Sequence, residues 1–337
     1  MAGNFEFALG HVHEGFVMFI GSDDGITPDA INYVDSIVKK FNVDAVSCKQ
    51  AMYIWPDFHD QEIAGQLKFA TIRDDIEIRQ SDDWIKKTLN FEVLYCFDLP
   101  NLYCGFVHKR IIDKAYKDGV YFRSITPDAY SAFATAIFID KYAFSYKPFS
   151  IAGASSKSNG ASSLHSVGNN TESNKFLSEN DIPFCDNFIN CPSFEIILGE
   201  TFAKLSIYFP ELCSKYEINY QKMLIKAKQN TNARTQNQVY SAVEIMHENF
   251  SDKIKTSYSP SRSKLIHLKL INFLSAFLRF NKVIGVQNSS ALSINDVDDA
   301  ALFIHFIQNF PNKVKYTTVG NLILKKILSY FNNQISP

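Results

Sequence analysis

A short apolar run, Phe16-Val17-Met18-Phe19-Ile20, ends at Gly21 and delivers two adjacent acids, Asp23 and Asp24. This constrains the fold more than any other feature of the chain. Five apolar residues without alternation predict a strand buried on both faces, the pattern of a parallel sheet. Pro28 and Asp29 then open a helical pattern whose apolar face carries Ile31, Val34, Ile37, Val38 and Phe41. Val43–Ser47 reads as the next strand. Strand, acidic turn, helix and strand in that order predict an α/β chain.

The pattern continues downstream. Phe91–Leu94 with Cys96 and Phe97, then Leu102–Val107, are further strand candidates. Lys109–Tyr116 reads as a helix closed by Gly119, and Thr126-Pro127-Asp128 as the start of another. Residues 150–173 hold eight Ser, three Gly and three Asn and read as a long loop. Beyond residue 193 the periodicity is helical, over Phe194–Ile207, Glu211–Lys228, Gln236–Phe250, Lys264–Lys282, Ile294–Phe310 and Val319–Phe331. The expected organisation is an α/β domain over 1–165, a linker over 166–192 and a helical domain over 193–337.

Composition narrows the function. With 337 residues, 46% hydrophobic and 20% charged, the chain is not largely disordered. A net charge of −1 argues against a dedicated nucleic-acid binder. The charge is uneven: residues 251–337 carry eleven Lys and Arg against four Asp, a net +7, leaving −8 for residues 1–250. Six cysteines without a C-x-x-C pair read as reduced thiols of a cytoplasmic protein. The N-terminus carries no basic-then-apolar signal segment, and no run of about 18 apolar residues marks a membrane span. Lys264–Lys282, apolar with basic flanks, reads either as a core helix or as a peripheral contact with an anionic membrane face.

Two carboxylates at the end of a buried strand stand where an open α/β sheet places its ligand crevice. Oxygen donors suit Mg²⁺ or Mn²⁺, and such a cation usually takes one or two carboxylates together with substrate phosphates. The structural alternative is an Asp-rich turn that caps the following helix. An aspartyl phosphatase is excluded, because Ser22 stands two positions before Asp24 where the nucleophile would have to be. No Walker or Rossmann glycine loop is present. His11 and His13 lack a third zinc ligand nearby, and His165 is a weak candidate for completing a cation site.

Four segments, in order, resemble one family. They are Asn4–Leu9 with Gly15–Gly25 and Pro28-Asp29, then Tyr53-Ile-Trp-Pro-Asp57, then Thr126–Ser131, then Pro148–Ser155 with Ser158-Asn-Gly160. Together they are similar to the inverting family 2 glycosyltransferases, in the bacterial polysaccharide-synthesis branch, over about half of this chain. The resemblance implies a GT-A fold that moves a sugar from a nucleotide-diphosphate donor to a saccharide or lipid-linked acceptor. It also implies Mn²⁺ or Mg²⁺ on Asp24 and Asp23. Ser22, Asp23, Ser155, Ser158 and Asn159 would then lie on the donor, and Asp128 would be the general base. Trp55 and Tyr53 would form a wall for the acceptor sugar.

Ser22 departs from the family's usual first Asp, and nothing here matches its N-terminal nucleotide-binding half. The chain is therefore expected to be a member lacking that half, completed by a partner, a second copy or residues before Met1. The alternative expectation is a non-catalytic remnant that binds a saccharide or protein. For Asp128 a helix-capping role remains open, for Trp55 ordinary packing, and for the serine loop simple solvation.

Overall fold

The computed structural model describes residues 2–70, 72–158, 182–231, 235–254, 283–286 and 294–309. It shows a mixed α/β architecture with two five-stranded mixed sheets. Helix α1 (Ala2–Leu9) leads into β1 (Phe16–Val17), β2 (Gly25–Ile26), α2 (Ala30–Phe41), β3 (Ala45–Cys48) and β4 (Ala51–Ile54). Then come β5 (Leu67–Ala70), β6 (Ile76–Gln80), α3 (Ser81–Leu89), β7 (Phe106–His108), α4 (Lys109–Ala115) and α5 (Pro127–Phe138). Strands β8 (Lys141–Ser145) and β9 (Ser150–Ala154) follow, then α6 (Phe194–Tyr208), α7 (Pro210–Cys213), α8 (Tyr220–Asn230) and α9 (Gln236–Asn249). The described chain closes with β10 (Val283–Val286) and α10 (Val297–Asn309).

The first sheet has the order β1-β7-β3-β8-β6 and the second β10-β5-β4-β9-β2. Each contains one parallel pair, β3 with β8 and β4 with β9. Only Lys49 and Gln50 separate β3 from β4, and four residues separate β8 from β9. The same two chain segments thus run side by side from the first sheet into the second. Residues 18–24 make the third crossing, from edge strand β1 to edge strand β2. The acidic turn lies at this junction, where three segments change sheets together.

The local reasons are readable in the side chains. Strand β3 is buried throughout, as a strand covered on both faces must be. Helix α2 buries Ala30, Val34 and Ile37 at helical spacing and ends on Asn42 in the left-handed region. Its Ile31 is exposed, so the buried stripe is narrower than the sequence pattern. Pro127 at the first helical position and Thr126 as cap start α5, a helix buried on nearly every side.

Several expectations are corrected. The run 16–20 is not a fully buried strand: β1 holds two residues, Phe19 adds a lone bridge to Tyr103, and Ile20 is 46% exposed. As the edge of its sheet, this segment has a partner on one side only. Residues 91–97 form turns, because Phe91 and Tyr95 adopt φ of 51° and 50°, which an extended strand cannot contain. The loop expected from 150 begins later, since Ser150–Ala154 is β9, flanked by β4 and β2. The single helix expected over 211–228 is two, α7 and α8, separated by residues 214–219. Asn159, Gly160, His165, Lys264–Lys282 and Val319–Phe331 lie outside the described residues.

Residues from both sides of position 165 share the main core. Phe133 of α5 meets Phe202 of α6 with ring centroids 5.1 Å apart, and both belong to the cluster that also takes in Leu224 and Val243. In a second cluster Ala300, Ile304 and Ile307 of α10 pack with Tyr53, Leu67 and Ile151 of the second sheet. No helix among the described residues is long and apolar enough to cross a membrane.

Candidate functional site

Asp24 is 7% exposed and both its oxygens are engaged. Oδ2 accepts from the Gly21 N–H at 2.6 Å and from the Tyr103 hydroxyl at 2.5 Å, while Oδ1 accepts from the Gly153 N–H at 2.7 Å. Burial pushes its carboxyl above the usual range, outweighing the Tyr103, Gly153 and Gly21 donors that pull it down. Burial and the neighbouring carboxylate likewise raise the Tyr103 phenol strongly.

Backbone explains why these groups meet. Phe19 N–H donates to the Leu102 carbonyl at 2.7 Å and Cys104 N–H to the Phe19 carbonyl at 2.9 Å, which brings Tyr103 alongside the turn. The face of Gly21 is crowded: a Cβ there would lie 2.8 Å from the Tyr103 oxygen, 2.9 Å from Asp23 Oδ1 and 3.0 Å from Asp24 Oδ2. Gly153 is more restrictive still, since a Cβ would stand 1.8 Å from the Asp23 carbonyl oxygen. Glycine is required there for close backbone approach.

Asp23 is half-buried, and its Oδ2 takes the hydroxyls of Ser155, at 3.0 Å, and Ser158. No described residue donates to its Oδ1. The Trp55 indole N–H donates to the Asp23 carbonyl at 3.1 Å. Asp57 holds the same serine turn from the other side, accepting from Ser156 Oγ at 2.6 Å. Ser22 is exposed at the tip of the acidic turn. The acids, the tryptophan and the serines, separated by up to 135 residues, therefore form one hydrogen-bonded cluster.

Tyr53 does not join Trp55 as an exposed wall. It is fully buried, with its hydroxyl donating to the Ile294 carbonyl at 3.4 Å and its ring 5.8 Å edge-on to Trp55. Of the two rings only that of Trp55 is partly exposed.

Asp128 occupies the first turn of α5. It is partly buried, and the Tyr95 hydroxyl stands 3.5 Å from its Oδ1. Thr126 holds the cap position without a side-chain cap hydrogen bond, and the Asp128 carboxylate takes the first-turn N–H groups of Asp128 and Ala129, so it serves the helix start. Burial raises its carboxyl above the ordinary range. Ser131 links this turn to the acidic cluster: its hydroxyl donates to the Asp128 carbonyl at 2.9 Å and accepts from the Leu102 N–H at 3.1 Å. Leu102 directly precedes Tyr103. Cys104, buried and at φ 61°, lies within electrostatic reach of both Asp24 and Asp128. Burial, then Asp24, then Cys48 and Asp128 drive its thiol well up, so it is not a reactive thiolate.

Sequence reasoning missed Tyr103, Gly153 and Asp57 as members of the cluster. Asp57 and Gly153 lie in segments that carry the resemblance but had no role there, and no spacing rule signals Tyr103.

A hard divalent cation fits the donor set. Asp23 Oδ1 is unclaimed among the described residues, and Asp24 Oδ1 carries a single donor, leaving lone pairs for an oxygen-seeking ion. No group of three or more His, Cys, Asp or Glu gathers among the described residues. Such an ion would therefore draw its remaining ligands from phosphate and water.

No protein-family model matches the chain, and no curated protein matches it.

Proposed function

We propose that the protein transfers a sugar from a nucleotide-diphosphate donor to a saccharide or lipid-linked hydroxyl, with inversion, at the Asp23–Asp24 cluster of a GT-A-like sheet domain. One observation carries the reading. Asp23, Asp24, Trp55, Asp57, Tyr103, Gly153 and the Ser155–Ser158 turn meet at one junction between the sheets, and Ser131 ties Asp128, an acid of raised pKa, to Leu102 beside it. Asp23 Oδ1, with the remaining lone pair of Asp24 Oδ1, would hold Mn²⁺ or Mg²⁺. When bound, that ion neutralises charge on the departing diphosphate.

The chain's own residues do the rest. Tyr103, Gly21 and Gly153 hold Asp24 in one orientation, so the acidic turn is set before a ligand arrives. Trp55 fixes the Asp23 backbone through its N–H and offers its ring to the apolar face of a sugar. The Ser155–Ser158 turn closes on Asp23 through two hydroxyls on Oδ2, which leaves Oδ1 for the cation. Asp128 takes the proton from the acceptor hydroxyl as its oxygen attacks the anomeric carbon opposite the leaving group. A carboxylate of raised pKa is better matched to that proton than an ordinary one.

A panel of nucleotide-diphosphate sugars with Mn²⁺, followed by release of the nucleoside diphosphate, tests this. Release that depends on the metal and is abolished by Asp128→Asn supports sugar transfer. Absence of release across the panel overturns it. One observation favours the non-catalytic reading: three protein donors already occupy Asp24. That reading predicts saccharide binding without diphosphate release.

A further inference from the structure

Helix α10 lies against the strand that leaves the acidic turn. Its Val297 covers Gly25, where a Cβ would be only 3.0 Å from Val297 Cγ2. Its Gln308 amide donates to the Pro148 carbonyl at 2.5 Å, just before β9. Its His305 Nδ1 stands 3.0 Å from Asp29 Oδ1, while Lys147 Nζ holds Asp29 Oδ2 at 3.2 Å. Asp29 closes the segment that begins at the acids. Gly25 and Ile26 pair with Ile151 and Ser150, Thr27 N–H donates to the Phe149 carbonyl, and the Asp29 carbonyl takes the Tyr33 N–H of α2. An arm more than 270 residues away in sequence thus grips both strands that carry the cluster, β2 and β9.

From this we infer that α10 is a clamp that sets the register of the acidic turn, and that His305, through Asp29, is its positioning residue. The apolar face of α10, from Val297 to Ile307, supplies adhesion, and Val297 seats its N-terminal end on Gly25. Directional contacts fix its other end, and among the described residues His305–Asp29 and Gln308–Pro148 are the two found on this side of the helix. Lys147 alone would hold Asp29 to the end of β8 but leave α10 free of the turn. Asn309, donating to the His305 carbonyl at 3.0 Å with its amide also beside the ring, keeps the imidazole aimed at Asp29. The contact stands on geometry alone; its consequence for sugar transfer rests on the function proposed above.

The chain contains two tryptophans, which makes the clamp directly observable. Trp55 reports the turn because its indole N–H is bonded to the Asp23 carbonyl. Trp84 sits in α3 against Arg79, away from α10 contacts, and reports the rest of the fold. In full-length protein carrying 5-fluorotryptophan, His305→Ala and His305→Phe should each displace the Trp55 fluorine resonance and leave that of Trp84 in place. His305→Asn sets an amide N–H where Nδ1 stood and should restore the wild-type position. With Mn²⁺ and a nucleotide sugar, His305→Ala should bind more weakly than wild type, with binding restored in His305→Asn. An unmoved Trp55 resonance in both His305→Ala and His305→Phe overturns the clamp, as does joint movement of both tryptophans, which would mean general loosening. If wild-type protein binds no nucleotide sugar while Trp55 still answers to His305, sugar transfer falls and the clamp stands.

Discussion

The hydroxyl of Tyr103 lies 2.5 Å from Oδ2 of Asp24, joining residues 79 apart in sequence at the junction of two sheets. Asp24 is 7% exposed, so this bond supports a carboxylate with little solvation of its own, and its removal is expensive. Tyr103→Phe should cost about 2 kcal/mol in urea unfolding at pH 7. Because burial raises the folded pKa of Asp24, its ionised form is the costly one, and the Tyr103 donor helps that form. The variant's deficit should therefore be largest at neutral pH and shrink as acid protonates Asp24. A deficit equal at pH 4 and pH 7 would contradict the assignment.

Gly153 is held by backbone, not by composition. An alanine Cβ would overlap the Asp23 carbonyl oxygen at 1.8 Å, a contact that no rotamer change relieves. Gly153→Ala should lose about 3 kcal/mol and displace the Asp23 turn. Chemical denaturation gives the first quantity and Trp55 emission the second, since the indole is bonded to the shifted carbonyl.

Asp29 titrates the opposite way to Asp24. Burial pushes its carboxyl up, but the Lys147 ammonium and the His305 ring hold it below the usual range. A depressed folded pKa means the stabilisation is complete above about pH 3.9 and is lost as pH falls through the folded value. Asp29→Asn should therefore be less stable than wild type by about 1 kcal/mol at pH 6, the two curves converging in strong acid. Urea midpoints from pH 6 down to pH 2 test it.

Asp128 should set the acid limb of catalysis. It works as a base only when ionised, and burial raises its pKa, so kcat/KM should fall below a pH higher than an ordinary aspartate would give. Asp128→Asn should lower kcat by about 10²–10⁴-fold and leave donor binding intact. A pH–rate profile of wild type, with donor affinity of the variant, separates this role from a purely structural one.

Some of this arrangement could be read directly from residues. Val43–Ser47 announced a strand, found at Ala45–Cys48, and Pro28 and Pro127 marked helix starts, because these signals are local. β9 was hidden because Ser-Ile-Ala-Gly-Ala has loop composition. Its small side chains answer to the Asp23 carbonyl and to β4, which are far away in sequence. Phe91–Phe97 misled in the reverse direction, with strand-like residues bent into turns by two left-handed backbones that burial of Phe91 and Tyr95 sustains. The acids themselves were found from their position after an apolar run. Tyr103, Asp57 and His305 were not, since hydrophobic periodicity says which face is buried but not which hydroxyl, carboxylate or imidazole meets which partner across the sheet.

The central claim is that the Asp23–Asp24 turn grips a nucleoside diphosphate through a divalent cation. Titration calorimetry with a panel of nucleotide-diphosphate sugars, with and without Mn²⁺, tests it most directly, using wild type and Asp23→Ala. The account predicts binding in the micromolar to millimolar range common for enzyme substrates, present only with Mn²⁺ and lost in the variant. Binding that ignores both the metal and Asp23, or no binding by any donor, would contradict it.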